Sequence, residues 1–289
     1  MILLTGANGQ TGHAIIRHLV ARGAPVRGLV RSDASARAIE ALGACAHVGD
    51  LRDSAAVEAA MDGVDRVYHL CPGLQPDEVE IVQRMLAAAK RAGVSLFGYH
   101  GVSYPQLPRI RFHWEKLKAE TEILHSGLTF FIVHPCQYMQ NVLWSMPRIL
   151  EEGVFALPWS PDRTMVSVDV EDMGEAIAIL LTEPGYAGGT YEFCSVEHAL
   201  TRHEMAEILG RAFQRKIVAG QRPIREALQA ARFKHYSDDQ LAQMSALYEF
   251  FDLNGTLGFN NRTLKMILGR EPTSYEAFAA RIARDMKLA

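Results

Sequence analysis

Excess charge, cysteine and long apolar runs are all scarce in this sequence, and each scarcity excludes something. The chain of 289 residues carries 30 Lys and Arg against 33 Asp and Glu, a formal net charge of −3. That balance argues against a nucleic-acid surface. Base is concentrated only at Arg211, Arg215, Lys216, Arg222 and Arg225, which a solvated helix face and its loop explain. The 4 cysteines, Cys45, Cys71, Cys136 and Cys194, are widely spaced and mostly set in apolar strand-like runs. They read as reduced core thiols, not as a disulfide framework or a zinc site. The 11 histidines form no H-E-x-x-H motif and no Cys/His cluster, and His198 with His203 is wrongly spaced for two ligands on one helical face. No metal is therefore expected. No apolar run approaches the ~20 residues of a membrane span. Met1 already belongs to the first predicted strand, so no cleavable leader is expected and the expected location is the cytoplasm. Internal repeats, low-complexity tracts and linkers are missing too, so the parts of the chain are expected to pack as one body.

What is present begins at the first residue. Met1 to Thr5 reads as a buried strand, Gly6 to Gly12 as a glycine-spaced turn, and Ile15, Ile16, Leu19 and Val20 as one face of a helix. Gly6 permits the tight turn, Gly9 lets backbone approach a ligand, and Gly12 lets the helix pack closely. The helix N-terminus, with free amides and a partial positive charge, suits a pyrophosphate. Asn8, Gln10 and Thr11 complete this loop, whose G-x-x-G-x-x-G spacing is one residue longer than the G-x-G-x-x-G fingerprint. The second predicted strand, Pro25 to Val30, ends in Arg31 and Ser32, where an Asp or Glu would accept from the ribose of NAD. A guanidinium and a hydroxyl suit a 2′-phosphate, so NADP(H) is preferred and NAD(H) is the alternative. Asp33 is read as the cap of the next helix.

Helical and apolar segments alternate from there: predicted strands at 45–48, 64–70, 94–99 and 128–133, with helices at 35–42, 54–61, from Asp77 to near Gly93, and 112–125. Asp77 with Glu80 reads as a capping box. Six short strands alternating with helices predict an α/β fold with a doubly wound parallel sheet. Such sheets bind ligands beyond the carboxyl ends of the strands, where strand order reverses. The expected site is therefore lined by Gly6 to Gly12, Arg31, Asp50 and Leu51, then Leu70, Cys71 and Pro72, then His100 to Tyr104 and His134 to Tyr138. Asp50 reads equally as an acceptor from an adenine amino group or as a helix cap.

TGANGQTG, GDLRD, HWEKLKAETEILHSGLTFFIVHPCQYMQN and TMVSVDVEDMGEAIAILLTEPGYAGGTYEF, in this order and spacing, resemble the NmrA-like family of atypical short-chain dehydrogenase/reductases. The resemblance extends more weakly through LTRHEMAEILGRAF and LGREPTSYEAFAARIA. It implies a Rossmann domain over residues 1–150, with strand and helix contributions from about 164–194, and a smaller, mainly helical C-terminal lobe over 151–289 that closes a cleft beside the nicotinamide. It also implies one of two functions: reduction of quinones and other unsaturated or carbonyl compounds, or nucleotide sensing through a regulatory protein partner.

Short-chain dehydrogenases use a Tyr with a Lys four residues on, and a Ser after the fifth strand. No Tyr here has that Lys, and the Ser position reads Gly101, with Ser103 displaced. Lys116 fits the family's K-x-x-x-E pattern with Glu120, which implies a lysine that contacts the nicotinamide ribose or acts as general acid/base. The same spacing also describes a solvent-facing helical ion pair. His113, one turn earlier, could shuttle a proton, or is simply a partly buried or surface histidine, the reading preferred here. Tyr104 and His100 are the other proton-donor candidates and alternatively line the substrate. Pro135 and Tyr138 are expected to back the nicotinamide, and Asn141 either to fix their loop or only to pack.

Beyond residue 150 the pattern predicts strands in 151–159, 164–168 and 190–194, helix caps at Asp169 and Asp172, and a capping box of Thr201 with Glu204. From Pro223 onward it is mainly helical. Phe233, Tyr236, Tyr248, Phe250, Phe251 and Phe259 read as core, and some of them with Trp144 and Trp159 could form a flat wall for a planar acceptor. The expected partner is a small-molecule hydride acceptor, a quinone or enone, because a quinone takes hydride readily and tolerates a sparse catalytic set. The chain is also compatible with a homo-oligomer.

Overall fold

The computed structural model describes residues 1–256 and 260–288. In chain order its elements are β1 (Ile2–Leu4), α1 (Gln10–Ala21), β2 (Val26–Val30), α2 (Asp33–Glu40), β3 (Cys45–Val48), α3 (Ser54–Ala60), β4 (Arg66–His69), α4 (Glu78–Ala92), β5 (Leu96–His100), α5 (Arg111–Leu124) and β6 (Phe130–Pro135). After these come β7 (Gln137–Tyr138), α6 (Met146–Glu152), β8 (Val154–Leu157), β9 (Ser167–Val168), α7 (Val170–Thr182) and β10 (Thr190–Phe193). The chain ends with α8 (Arg202–Ala212), β11 (Val218–Gln221), α9 (Ile224–Ala227), α10 (Asp238–Asn254), α11 (Arg262–Leu268) and α12 (Tyr275–Asp285).

Two compact units result. The first comprises Met1–Pro135, Val170–Phe193 and Met266–Gly269. Its 7-stranded sheet has the order β10-β6-β5-β4-β1-β2-β3, with every pairing parallel. Strand order reverses between β1 and β4, which are neighbours in register from Ile2↔Arg66 to Leu4↔Tyr68. The central strands read as continuous apolar runs because helices cover both faces of a parallel sheet; Leu3, Leu4, Val67 and Phe97 are wholly buried. The sheet is one strand wider than the six read from the first half of the sequence, because Thr190–Phe193 adds beside β6.

A close-packed cluster under β1, β4 and β5 joins Val57, Val82, Met85, Ala89, Phe97, Tyr99 and Ile123. It seats α3, α4 and α5 on one face. The helix ends show where local signals hold. Ser32, not Asp33, caps α2, its Oγ accepting from the Ser35 amide. Asp53 caps α3. The expected capping box at Asp77 is absent: Asp77 makes no side-chain cap bond. Its carboxylate is instead taken in two bonds by Arg52, at 2.6 and 2.8 Å, and the guanidinium holds its pKa below the usual carboxylate range. A bidentate arginine is a stronger partner for a carboxylate than a backbone amide.

The second unit comprises Cys136–Asp169, Cys194–Lys265 and Arg270–Ala289. Two small parallel pairs, β8 with β11 and β7 with β9, stand among its helices. Trp159, Met165, Ala227, Phe233 and Tyr248 form its core, with Phe251 packed against them. The box of Thr201 and Glu204 is present at the start of α8. Asp169, at the start of α7, also anchors α12: its wholly buried carboxylate receives Gln140 and Arg281, each at 2.6 Å. Phe259 lies outside the described residues.

Candidate active site

The carboxyl end of the first unit's sheet is built around the turn after β1. Gly6 has φ +63°, and a Cβ there would stand 2.8 Å from the Leu70 carbonyl oxygen, so both the conformation and the space demand glycine. A Cβ at Gly12 would meet the carbonyl oxygens of Gly6 and Ala7 at 2.4 and 2.6 Å. What Gly12 accommodates is therefore the loop's own backbone rather than a helix–sheet contact. Thr5 fastens the base of the turn: its Oγ1 accepts from the Leu70 amide at 2.9 Å and lies 2.9 Å from His69 Nδ1.

α1 then starts at Gly9 with no side-chain cap and no acid in its first turn. Its leading amides are left open for an anion. Asn8, Gly9 and Gln10 are exposed, whereas Thr11 is buried. At the end of β2, Arg31 is exposed, and among the described residues no hydrogen bond or ion pair engages its guanidinium. Ser32 Oγ, beside it, is partly committed to the cap of α2. Asp50 is half-buried with Oδ1 on the Arg52 amide at 2.8 Å; since Asp53 does the capping, the other Asp50 oxygen is not needed by the helix. Leu51 and Leu70 are half-buried, Cys71 is buried and Pro72 is exposed. Burial and the nearby Glu78 push the Cys71 thiol up to about 12, so it stays protonated. A turn with no room for a Cβ at Gly6 or Gly12, an open helix N-terminus and a guanidinium that no described residue engages fit a dinucleotide with a 2′-phosphate.

The second part of the site is the buried polar face of α5. Lys116 is 5% exposed, and its ion-pair partner is not Glu120 but Glu78 of α4, at 2.6 Å. Lys116 also donates to the carbonyl of His100, the last residue of β5, at 3.2 Å. Tyr99 Oη donates to the same Glu78 oxygen at 2.6 Å. Glu120 is turned to His134 of β6, whose Nε2 lies 2.8 Å from its Oε1. So the i,i+4 spacing of Lys116 and Glu120 does not describe a surface pair; both are core residues with separate partners, one on the neighbouring helix α4 and one on β6.

His100 is buried with Nδ1 on Tyr68 Oη at 2.7 Å. Burial first, then the Lys116 ammonium, lowers its pKa to about 3. It is a buried residue, neutral at neutral pH. His113 is likewise neutral, lowered to about 4 by burial, with Nδ1 3.1 Å from the Tyr104 carbonyl. Tyr104 is half-buried at φ +55°, a left-handed position that turns its carbonyl to His113. Pro135 ends β6, buried.

In the second unit Tyr138 and Asn141 are half-buried and line a small apolar cavity with Val142, Phe155, Met165 and Met205. Trp159 is core, its Nε1 donating to Met165 Sδ at 3.4 Å. Trp144, by contrast, is 61% exposed, its ring 4.2 Å from the Arg232 guanidinium. Among the described residues no cluster of His, Cys, Asp and Glu could hold a metal, and no helix is long and apolar enough to cross a membrane.

Glu78 and His134 were not singled out as catalytic candidates from the sequence. The signal for Glu78 was its place on the apolar stripe of α4, three and four residues before Ile81 and Val82, where a carboxylate calls for a buried partner. Gly101 shows why the usual serine is missing: a Cβ there would stand 2.6 Å from Glu120 Oε1 and 2.8 Å from His134 Cδ2. The Glu120–His134 pair occupies the serine's space. Gly101→Ser is therefore expected to overpack the site at a cost of about 1–3 kcal/mol, lowering the thermal midpoint by several degrees without producing ordinary ketone reduction. A stable Gly101→Ser protein that reduces ketones would contradict this.

Comparison with known proteins gives a consistent picture. Residues 1–279 match the NmrA-like family. The chain is 29% identical over 281 residues to the NAD(P)H azoreductase of Xenophilus azovorans, covering 96% of both chains. It is 27% identical over 277 residues to quinone oxidoreductase 2 of Escherichia coli K12, covering 95% of this chain and 96% of that one. Among solved structures, the E. coli NADPH-dependent quinone oxidoreductase complexed with NADPH superposes with a TM-score of 0.82 at 26% identity, over 98% of this chain and 99% of that one.

Proposed function

The chain belongs to the NmrA-like family, and from that premise we propose that it is an NADPH-dependent reductase of quinone-like and enone acceptors. The observation that carries this reading is the open N-terminus of α1 at the point of strand-order reversal, with the Arg31 guanidinium, engaged by no described residue, on the next strand. That is a nucleotide site with provision for a 2′-phosphate. Reduction in place of sensing is favoured by the two relatives that span nearly the whole chain, both oxidoreductases by name.

In this reading the amides of Gln10 and Thr11 hold the pyrophosphate, with Gly9 closing the turn beneath them through its bond to the Gly6 carbonyl, Arg31 and Ser32 hold the 2′-phosphate, and Asp50 and Leu51 the adenine. Leu70, Cys71 and Pro72 flank the nucleotide beside the turn, and Pro135 backs its far end. When bound, NADPH supplies a hydride. Lys116 holds the nicotinamide ribose or a developing oxyanion on the acceptor through its ammonium. Tyr104 is proposed as an acceptor contact. His113, neutral, positions Tyr104 through its carbonyl and is not assigned proton donation.

The test is loss of reduced-nicotinamide absorbance with purified protein, NADPH or NADH, and a panel of quinones and enones. Turnover with NADPH on at least one acceptor is expected. Tight NADPH binding with no oxidation across the panel would overturn the reductase reading in favour of a sensor.

A further inference from the structure

Lys116 is the residue on which the proposed chemistry turns, and what holds it is not on its own helix. We propose that Glu78, oriented by Tyr99, is the positioning residue for Lys116: it fixes the ammonium at the carboxyl end of β5 and keeps it charged. This rests on the reading that Lys116 serves the nicotinamide ribose or the acceptor oxygen.

Three observations carry the assignment. Glu78 is wholly buried, yet its Oε1 receives both Tyr99 Oη and Lys116 Nζ at 2.6 Å, while Oε2 has no hydrogen-bond partner among the described residues. A carboxylate is placed so deep only if something needs its charge, and Lys116, 5% exposed, is the cation in contact with it. A lysine ammonium has three N–H groups. One goes to Glu78, one to the His100 carbonyl, and no described residue takes the third, which leaves it open to a ligand. The Nζ also lies 5.3 Å from the centre of the Tyr99 ring, so Tyr99 supports the ammonium directly and through the carboxylate.

The remaining titratable groups around Lys116 cannot replace Glu78. His69 of β4, His100 of β5 and His113 on its own helix are neutral at neutral pH, and the Cys71 thiol stays protonated. Glu120, one turn along α5, is engaged by His134. Without Glu78 the Lys116 ammonium would be a desolvated charge facing neutral groups, a setting that favours the free amine.

The experiment follows the titration of Lys116 by NMR in full-length protein labelled with ¹³C at lysine Cε, its signal assigned by Lys116→Arg. In Glu78→Gln the midpoint is expected to fall by about 2 units or more, with Glu78→Asp between it and the parent. Tyr99→Phe is expected to shift it by less, because the carboxylate stays. In turnover assays, the basic limb of the kcat profile should move with the Lys116 midpoint while the NADPH Kd changes only a few-fold. An unchanged Lys116 midpoint in Glu78→Gln overturns the proposal. A shifted midpoint with an unmoved kcat profile supports the positioning of Lys116 but removes Lys116 from the chemistry, so the two failures are distinguishable. If Glu78→Gln does not fold, Glu78→Asp decides: no displacement of the midpoint there overturns the assignment.

Discussion

Replacing Arg31 by alanine is expected to raise the Kd for NADPH by about 30-fold while leaving that for NADH within about 3-fold. The difference follows from what each cofactor offers at the end of β2. A 2′-phosphate meets a planar guanidinium in a charge-assisted, two-pronged bond, whereas a ribose hydroxyl gains little from a cation. Arg31 is exposed and engaged by no other described residue, so its loss should cost the protein little stability. Ser32 survives in the variant, but its hydroxyl is shared with the amide of Ser35 and cannot replace a charge. Lysine at position 31 should recover part of the NADPH affinity, as a point charge without the fork. Equal losses for the two cofactors, measured by calorimetry, would mean that the phosphate is read elsewhere.

This part of the site was legible because its signals are local. A strand, a glycine-spaced turn and a helix start are consecutive, and Arg31 follows the next strand directly, so the nucleotide end could be placed without knowing which elements touch. The polar face of α5 was not legible for the opposite reason. Lys116 finds Glu78, a residue 38 positions earlier, and Glu120 finds His134, 14 positions later. Spacing along a helix says which residues share a face; it does not say which helix or strand that face meets. The same limit explains Asp77, whose sequence signature as a cap was outbid by Arg52 from another loop. It explains His100 as well: a residue at a strand's carboxyl end faces the site only if its side chain alternates outward, and here Tyr68 receives it inside.

Lowering the pH from 7 to 5 is expected to lower the conformational stability by up to about 6 kcal/mol. His69, His100 and His113 have pKa values held at about 3, about 3 and about 4, chiefly by burial, with the Lys116 ammonium adding to the effect at each. In the unfolded chain an imidazole titrates near ~6.5. Below that pH the unfolded chain binds protons that the folded one refuses. The stabilisation is thus complete above ~6.5 and is lost progressively as pH falls toward the folded values. Each group contributes a slope of up to about 1.4 kcal/mol per pH unit, hence about 4 kcal/mol per unit for the set, against a total stability of about 5–15 kcal/mol. Urea unfolding between pH 7 and 5 should show the midpoint falling steeply, with His69→Gln reducing that slope by about a third. A flat midpoint would show that these imidazoles are not held neutral. The same neutrality bears on turnover. With His100 and His113 uncharged across this range and His69 in the core behind them, the charge at the carboxyl end of β5 belongs to the Lys116–Glu78 pair. In NADPH-saturated assays on protein that remains folded, kcat should therefore show no limb near pH 6.5 that disappears when His113 is replaced by glutamine. A limb that does disappear would return His113 to the role of proton donor.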